Sequence, residues 1–209
     1  MTAPKPATDG RRTRVRRMAD RELERSDWLD AARRALIEEG VGAVRIERLA
    51  TSLGVTRGGF YWRFRNLEEL HIALVEDWRA SNSRALLGLL ERADDLSGRF
   101  DEMVRIWLDG KGFDPAWDSA MRDWGRISPH VAAAVQAVDA DRIGVLQKMF
   151  ADAGLAERVA LVRARILYYH QVGYFALGVH ESRQQRRELI PIYKAALTGL
   201  DPEQLLPSA

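Results

Sequence analysis

The run TRGGFYWRF, Thr56 to Phe64, packs two arginines, two glycines and four aromatic residues into nine positions. A guanidinium presents a rigid fork of donors that fits phosphate oxygens or the edge of guanine. A tyrosine hydroxyl also reaches a phosphate. Glycine removes bulk where a backbone must come close to another surface. Phe60 and Phe64 stand at i and i+4, so a helix turns both inward. The opposite face is then left to Arg57, Gly58, Gly59, Tyr61 and Arg63. Paired glycines in a helix cost roughly 1 kcal/mol each. Close approach to a double helix would offset that cost. The plainer alternative, in which Tyr61 and Trp62 only pack and the arginines are solvated, must also explain the features around the run.

Those features are helices with tight stops. Ser26 is placed to cap a helix that carries Trp28, Leu29, Ala32, Ala35 and Leu36 at helical spacing, and Gly40 ends it. A second helix holds Ile46, Leu49, Ala50 and Leu53 on one face. Gly54 stops it, Val55 plugs the turn, and Thr56 is placed to cap a third helix. Arg65-Asn66 breaks that helix, and a longer one is predicted over 67–92, burying Leu67, Leu70, Leu74, Val75 and Trp78. Two short helices around a glycine turn make a helix-turn-helix pattern, whose second helix suits a major groove.

Charge is placed unevenly in the same sense. Residues 1–65 carry 15 basic and 9 acidic side chains, net +6, and residues 66–209 carry 17 and 21, net −4. The first third is therefore suited to a polyanion. Residues 1–20 lack apolar periodicity and read as a flexible basic arm. Its Arg11, Arg12, Arg14, Arg16 and Arg17 either enter a minor groove, track phosphates, or form a solvated tail. With no cysteine among 209 residues, disulfides and thiolate metal sites are excluded, and a cytoplasmic setting is expected. No apolar run approaches the ~18 residues of a membrane span, so no membrane partner is expected. The sequence has no Gly-rich phosphate loop, Gly-x-Ser-x-Gly elbow or His-Glu-x-x-His pair, so no enzyme, catalytic residue, metal site or cofactor is expected.

The segment GVGAVRIERLATSLGVTRGGFYWRFRNLEEL resembles the DNA-binding domain of the tetracycline-repressor (TetR) family of bacterial transcription regulators. Leu49-Ala50, Leu53-Gly54-Val55-Thr56, Tyr61-Trp62-Arg63-Phe64 and Glu68-Glu69-Leu70 fill the places of the family pattern. The resemblance implies that Thr56 caps the recognition helix and touches a phosphate, and that Arg57, Gly58 and Gly59 face the groove. It implies that Tyr61 binds a phosphate or a thymine methyl, that Trp62 and Arg63 contact the backbone, and that Arg45 opens the second helix at a phosphate. Leu49, Ala50, Gly54, Val55, Phe60 and Phe64 would support this face from the core. Three residues depart from the pattern. Arg63 replaces the usual histidine, Leu67 stands where a phosphate-binding lysine is common, and Glu47 stands where some members read a base with arginine. A carboxylate at 47 would either accept from cytosine or orient Arg48.

An all-α fold follows, with an arm over 1–20, the helix-turn-helix domain over 21–70 and a larger helical domain over 71–209. In the latter, helices are predicted near 99–109, 115–126, 129–153, 155–181 and 186–200, with Pro191 delaying or kinking the last. Val159, Val162, Ile166, Tyr169, Gly173, Ala176 and His180 form a stripe with small residues at its middle. Leu189, Ile192, Tyr193, Ala196 and Leu200 form a second. The stripes either pair with a second copy as a four-helix bundle, making a homodimer, or face the chain's own core. Trp107, Phe113, Trp117, Trp124, Tyr168 and Tyr174, with Arg105, Arg122, Arg126, His130 and His170, are candidates for a ligand pocket. The resemblance implies a repressor of a palindromic operator in double-stranded DNA, released by a small-molecule effector. The alternative is a regulator of the same fold with no small-molecule ligand.

Overall fold

A computed structural model describes residues 23–110, 112–179 and 181–199. Every regular element among them is helical. The arginine-rich arm, His180 and Leu200 lie outside the described residues. The chain divides into two compact units, Met1–Asp77 and Trp78–Ala209.

The first unit begins with α1, Arg25–Glu39, which buries Trp28, Ala31, Ala32, Ala35 and Leu36. Its cap is Glu24, whose N–H donates to Asp27 Oδ2 at 2.6 Å. Ser26 falls inside the first turn, so the expected cap moves two residues back: an Asp three places after Glu24 is what anchors the start. A 3-10 turn over Val41–Ala43 leads to α2, Ile46–Ser52, which buries Leu49 and Ala50. Gly54 adopts φ 71°, a left-handed conformation that favours glycine, and makes the tight turn. Buried Val55 closes the turn, its N–H donating to the Ala50 carbonyl at 2.9 Å.

Next comes α3, Arg57–Tyr61. It is shorter than the sequence pattern suggests, and the chain continues in tighter turns until Phe64. Phe60 and Phe64 are both buried and stack with centroids 5.4 Å apart, while Trp28 meets Phe60 edge-on at 5.3 Å. These rings fix the inward side of the short helix. α4, Leu67–Ser81, follows, with the Glu69 N–H donating to Asn66 Oδ1 at 2.9 Å.

The predicted helix over 67–92 does not continue past Ser81. Asn82 and Ser83 are buried and spend their polar groups on partners far along the chain, which ends the helical ladder. Only a short α5, Arg84–Leu87, and a 3-10 turn at Leu89–Glu91 follow. The second unit then contains α6 (Leu96–Asp109), α7 (Pro115–Gly125), α8 (Pro129–Asp152), α9 (Glu157–Ala176) and α10 (Arg183–Thr198). Asp95 and Asp114 cap α6 and α7 through backbone N–H groups. α9 ends at Ala176, several residues before 181. α10 starts at Arg183, earlier than predicted, because Ser182 and Gln185 cap it reciprocally. Pro191 lies within that helix.

Phe100, Met103, Leu146, Met149, Phe150 and Leu167 fill the core of this unit. Between α6 and α7, Gly112 has φ 87°, and a Cβ there would stand 2.6 Å from the Ala85 Cβ. Only glycine lets the α6–α7 loop lie this close to α5.

Candidate functional site

In the first unit the expected binding face is a surface. Tyr61 is 59% and Trp62 66% exposed, although Phe60 between α3's ends is fully buried. Arg57 and Gly58 are exposed, and Arg63 is half-buried. The Arg63 carbonyl accepts from Arg25 at 2.8 Å. Gly58 has a negative φ, and the only neighbour a Cβ would crowd is the Thr56 hydroxyl, at 3.3 Å. The chain's own packing therefore gives little reason for glycine at this position. Gly59 is buried and does not face outward with Gly58, because it sits on the side of α3 that Phe60 turns inward. Thr56 does hold the N-cap position, yet its hydroxyl makes no capping hydrogen bond. Arg45 precedes α2 and donates through Nε to the Gly42 carbonyl at 2.8 Å.

Glu47 does not orient Arg48. Arg48 is paired with Glu39, and Glu47 accepts from Arg57 at 3.0 Å. The Glu47 carboxyl is held below its ordinary range by its own backbone N–H first and by Arg57 second. Both side chains are about two-thirds exposed. The pair therefore links α2 to the first residue of α3 without burying either charge. Behind α3, Glu69 accepts from the Arg65 backbone N–H at 2.8 Å and from Arg25 at 3.0 Å. These two contacts, the backbone N–H foremost, lower its carboxyl to about 2. They pin the chain where it leaves α3.

In the second unit the sequence candidates separate into three groups. Trp107 lines two neighbouring cavities. Tyr168 and Arg122 line the smaller, of about 30 Å³, and His170 and Tyr174 line the larger, of about 60 Å³. Trp117 and Trp124 line neither and are buried core residues of α7, so their expected place in the pocket is corrected. Arg105 and Arg126 point to solvent, paired with Glu102 and Asp123 within their own helices. His130 is exposed at the start of α8. Helical periodicity put these groups on the middle helices without saying which face was inward.

Sequence reasoning missed the centre of this region, Arg142. It is 1% exposed. Its guanidinium donates to Ser83 Oγ at 3.0 Å, Asp118 Oδ1 at 2.8 Å, the Tyr168 hydroxyl at 3.3 Å and the Asn82 carbonyl at 3.1 Å. Arg122 donates to Asp118 at 2.9 Å and to both oxygens of Asp139, at 2.9 and 2.7 Å. The Tyr168 hydroxyl donates to Asp139 at 2.6 Å. Two guanidiniums and two carboxylates thus cancel in the interior. Burial works against the charge of both arginines, but the aspartates outweigh it and raise their pKa values. Burial first, and Asp139 with it, pushes Tyr168 up to about 12. Arg142 lies on the buried stripe of α8 between Val138 and Leu146, and nothing local to it points to partners 59 and 60 residues away.

The two expected pairing stripes lie on α9 and α10. Val159, Val162, Ile166 and Tyr169 are about half exposed, as is Ile192. Ala176 and Ala196 are exposed, Gly173 and Leu189 half-buried. A Cβ at Gly173 would meet nothing within 4 Å. Val159, Val162, Ile166 and Ala196 border an open groove. Tyr193 is displaced from the stripe toward the larger cavity, where its ring lies 4.8 Å from His170.

Comparison with known proteins places the first unit. The model of the bacterial regulatory proteins of the tetR family matches residues 29–74. Over 90 residues the chain is 32% identical to a probable HTH-type transcriptional regulator, ArpR, of Pseudomonas putida, spanning 43% of this chain and 40% of that protein. Over 63 residues it is 40% identical to the HTH-type transcriptional regulator TtgR of the same species, spanning 30% of each. The matches thus cover less than half of either relative's length. Among solved structures, reduced NemR of E. coli superimposes with a TM-score of 0.65 at 17% identity, over 84% of this chain and 96% of that one. The multidrug binding protein EbrR, complexed with imidazole, superimposes with a TM-score of 0.50 at 18% identity, over 90% and 98%. These likenesses extend the shared all-α fold beyond the matched segment. Residues 29–74 thus carry a helix-turn-helix segment similar to that of the bacterial regulatory proteins of the tetR family.

Proposed function

We propose that the protein is a sequence-specific DNA-binding transcription regulator that acts as a homodimer in the cytoplasm, a repressor released from a palindromic operator by a small molecule. The observation that carries the DNA-binding part is the asymmetry of α3. Phe60 is fully buried, while Tyr61 and Trp62 stand more than half exposed beside Arg57 and a glycine that the chain's packing does not demand. A helix anchored on one side and armed with donors on the other suits a major groove. The exposed apolar residues of α9 and α10 support pairing of two copies, since a soluble surface rarely leaves such a row uncovered. No catalytic role is assigned to any residue. A regulator of the same fold without a small-molecule ligand is the second reading. It is favoured by the modest size of the two cavities, about 60 and 30 Å³.

Selection of duplexes from a random pool tests the reading. The expected result is an enriched palindrome whose half-sites lie about 34 Å, or a multiple of it, apart. Absence of enrichment overturns it. Sedimentation tests the pairing: wild type should be dimeric at micromolar concentration. Gly173→Leu, whose Cβ would meet nothing within 4 Å, should yield folded monomer. A monomeric wild type, or a dimer unchanged by Gly173→Leu, removes this interface.

A further inference from the structure

Gln171 is 6% exposed, yet its amide nitrogen has no hydrogen-bond partner among the described residues. A buried donor left unmet weighs on an equilibrium by roughly 5- to 100-fold. The residue lies on α9 and lines both cavities of the second unit. In the smaller cavity the charged groups are already committed to one another, through Arg142, Asp118, Arg122 and Asp139. That leaves the larger cavity as the place where a partner for the Gln171 nitrogen can enter.

The larger cavity is bounded by α6, α9 and α10, and its deep wall is apolar: Phe100, Met103, Trp107, Leu167 and Ile190. Its polar lining is already in use nearer the mouth. Glu181 accepts from the Tyr174 hydroxyl at 3.2 Å, and the Arg186 guanidinium stands 4.2 Å from the centre of the Tyr174 ring. Burial first, and Arg186 second, lower the pKa of His170 and favour its neutral form. One acid and one base at the mouth leave no net charge to attract an ion. The volume of about 60 Å³ corresponds to a handful of waters at roughly 10–15 Å³ each, less than half of the roughly 150 Å³ of a cavity that holds benzene, so a ring must widen it or protrude from its mouth.

We propose that this cavity binds a small uncharged aromatic molecule, about one ring in size, whose acceptor oxygen takes the hydrogen bond that Gln171 makes with none of the described residues. This deepens the regulator reading by naming the ligand class, and it rests on that reading only for the effect on DNA. An apolar wall accepts the ring, and the buried amide then discriminates by polarity: a ligand lacking the acceptor leaves the amide unmet.

Calorimetry on the full chain without DNA tests it with three probes of similar size: acetophenone, ethylbenzene and benzoate. Acetophenone should bind wild type at least about 5-fold more tightly than ethylbenzene, the lower limit for a newly met buried donor. Benzoate should bind more weakly than both. Gln171→Met keeps the length of the side chain and removes the donor, so the preference for the ketone should vanish while ethylbenzene binds as well or better. Equal affinity of wild type for ketone and hydrocarbon overturns the proposal. So does no binding of acetophenone at millimolar concentration, tighter binding of benzoate, or a ketone preference that survives in Gln171→Met. Should the variant fail to fold, the wild-type comparison of ketone and hydrocarbon still decides. A separate titration of DNA separates the two readings. If acetophenone binds as stated but DNA affinity is unmoved, the cavity assignment stands and release by this ligand class falls. If DNA binding is intact while acetophenone does not bind, the cavity assignment falls and DNA binding stands.

Discussion

The two units use arginine in opposite ways. On α3 and its neighbours, Arg57 is two-thirds exposed and its ion pair with Glu47 is equally exposed. In the second unit Arg142 is 1% exposed and all three nitrogens of its guanidinium donate hydrogen bonds. An exposed pair contributes about 0–1 kcal/mol and is easily exchanged for another partner. A buried, fully bonded pair is costly to break because the survivor is left charged in a dry interior. The first arrangement keeps an arginine available to a polyanion. The second spends an arginine on holding α7, α8, α9 and the residues just after α4 in one arrangement.

The largest effect should come from breaking the buried set. Asp118→Ala leaves Arg142 without its carboxylate and should cost about 3–5 kcal/mol of stability, read as a lowered urea midpoint. A loss under about 1 kcal/mol would mean that water replaces the carboxylate and that the contrast with the surface pair is false. The intermediate effect belongs to the surface. Arg57→Ala should cost about 1–3 kcal/mol of operator affinity and narrow the gap between operator and scrambled duplex, because a base-edge contact is lost. Arg63→Ala should weaken both duplexes alike, as a phosphate contact does. Equal losses on both duplexes for Arg57→Ala remove its base-reading role. The smallest effect is on the surface pair itself. Glu47→Gln should move folding stability by less than about 1 kcal/mol while tightening binding to any duplex, since a negative charge near phosphate disappears. A clear drop in stability would show that the pair is structural, and the two units would then differ less than described.

The legible part of the fold is local. Gly54, Val55, Phe60 and Phe64 lie within eleven residues, and their spacing alone places the turn and the inward side of α3. The glycine that ends α1 is equally plain. Glu24 is hidden as a cap because serine is the commoner one and Asp27 has to be read with it. What escapes is long-range. Ser81 ends a helix whose apolar pattern runs on, since Asn82 is claimed by Asp114 and Asp118, 32 and 36 residues away. Trp117 and Trp124 resemble pocket walls because a buried tryptophan and a lining tryptophan have the same local pattern. Gln171 gives no signal at all: a glutamine beside a histidine on a helix is ordinary until its burial is known.

The closed set around Arg142 also limits how the sequence can drift. Arg142→Met by itself strands Asp118, and Asp118→Leu by itself strands Arg142. Asp139 in turn holds both Arg122 and the Tyr168 hydroxyl. Any single loss of one of its four charged members passes through a chain with an uncompensated charge. A wholly apolar replacement of similar volume would have no such penalty, but it is reached only by several changes at once. The four charged side chains are therefore inherited as a block, to be kept together or exchanged together, whereas Arg57 and Glu47 are each free to change alone without stranding a buried charge.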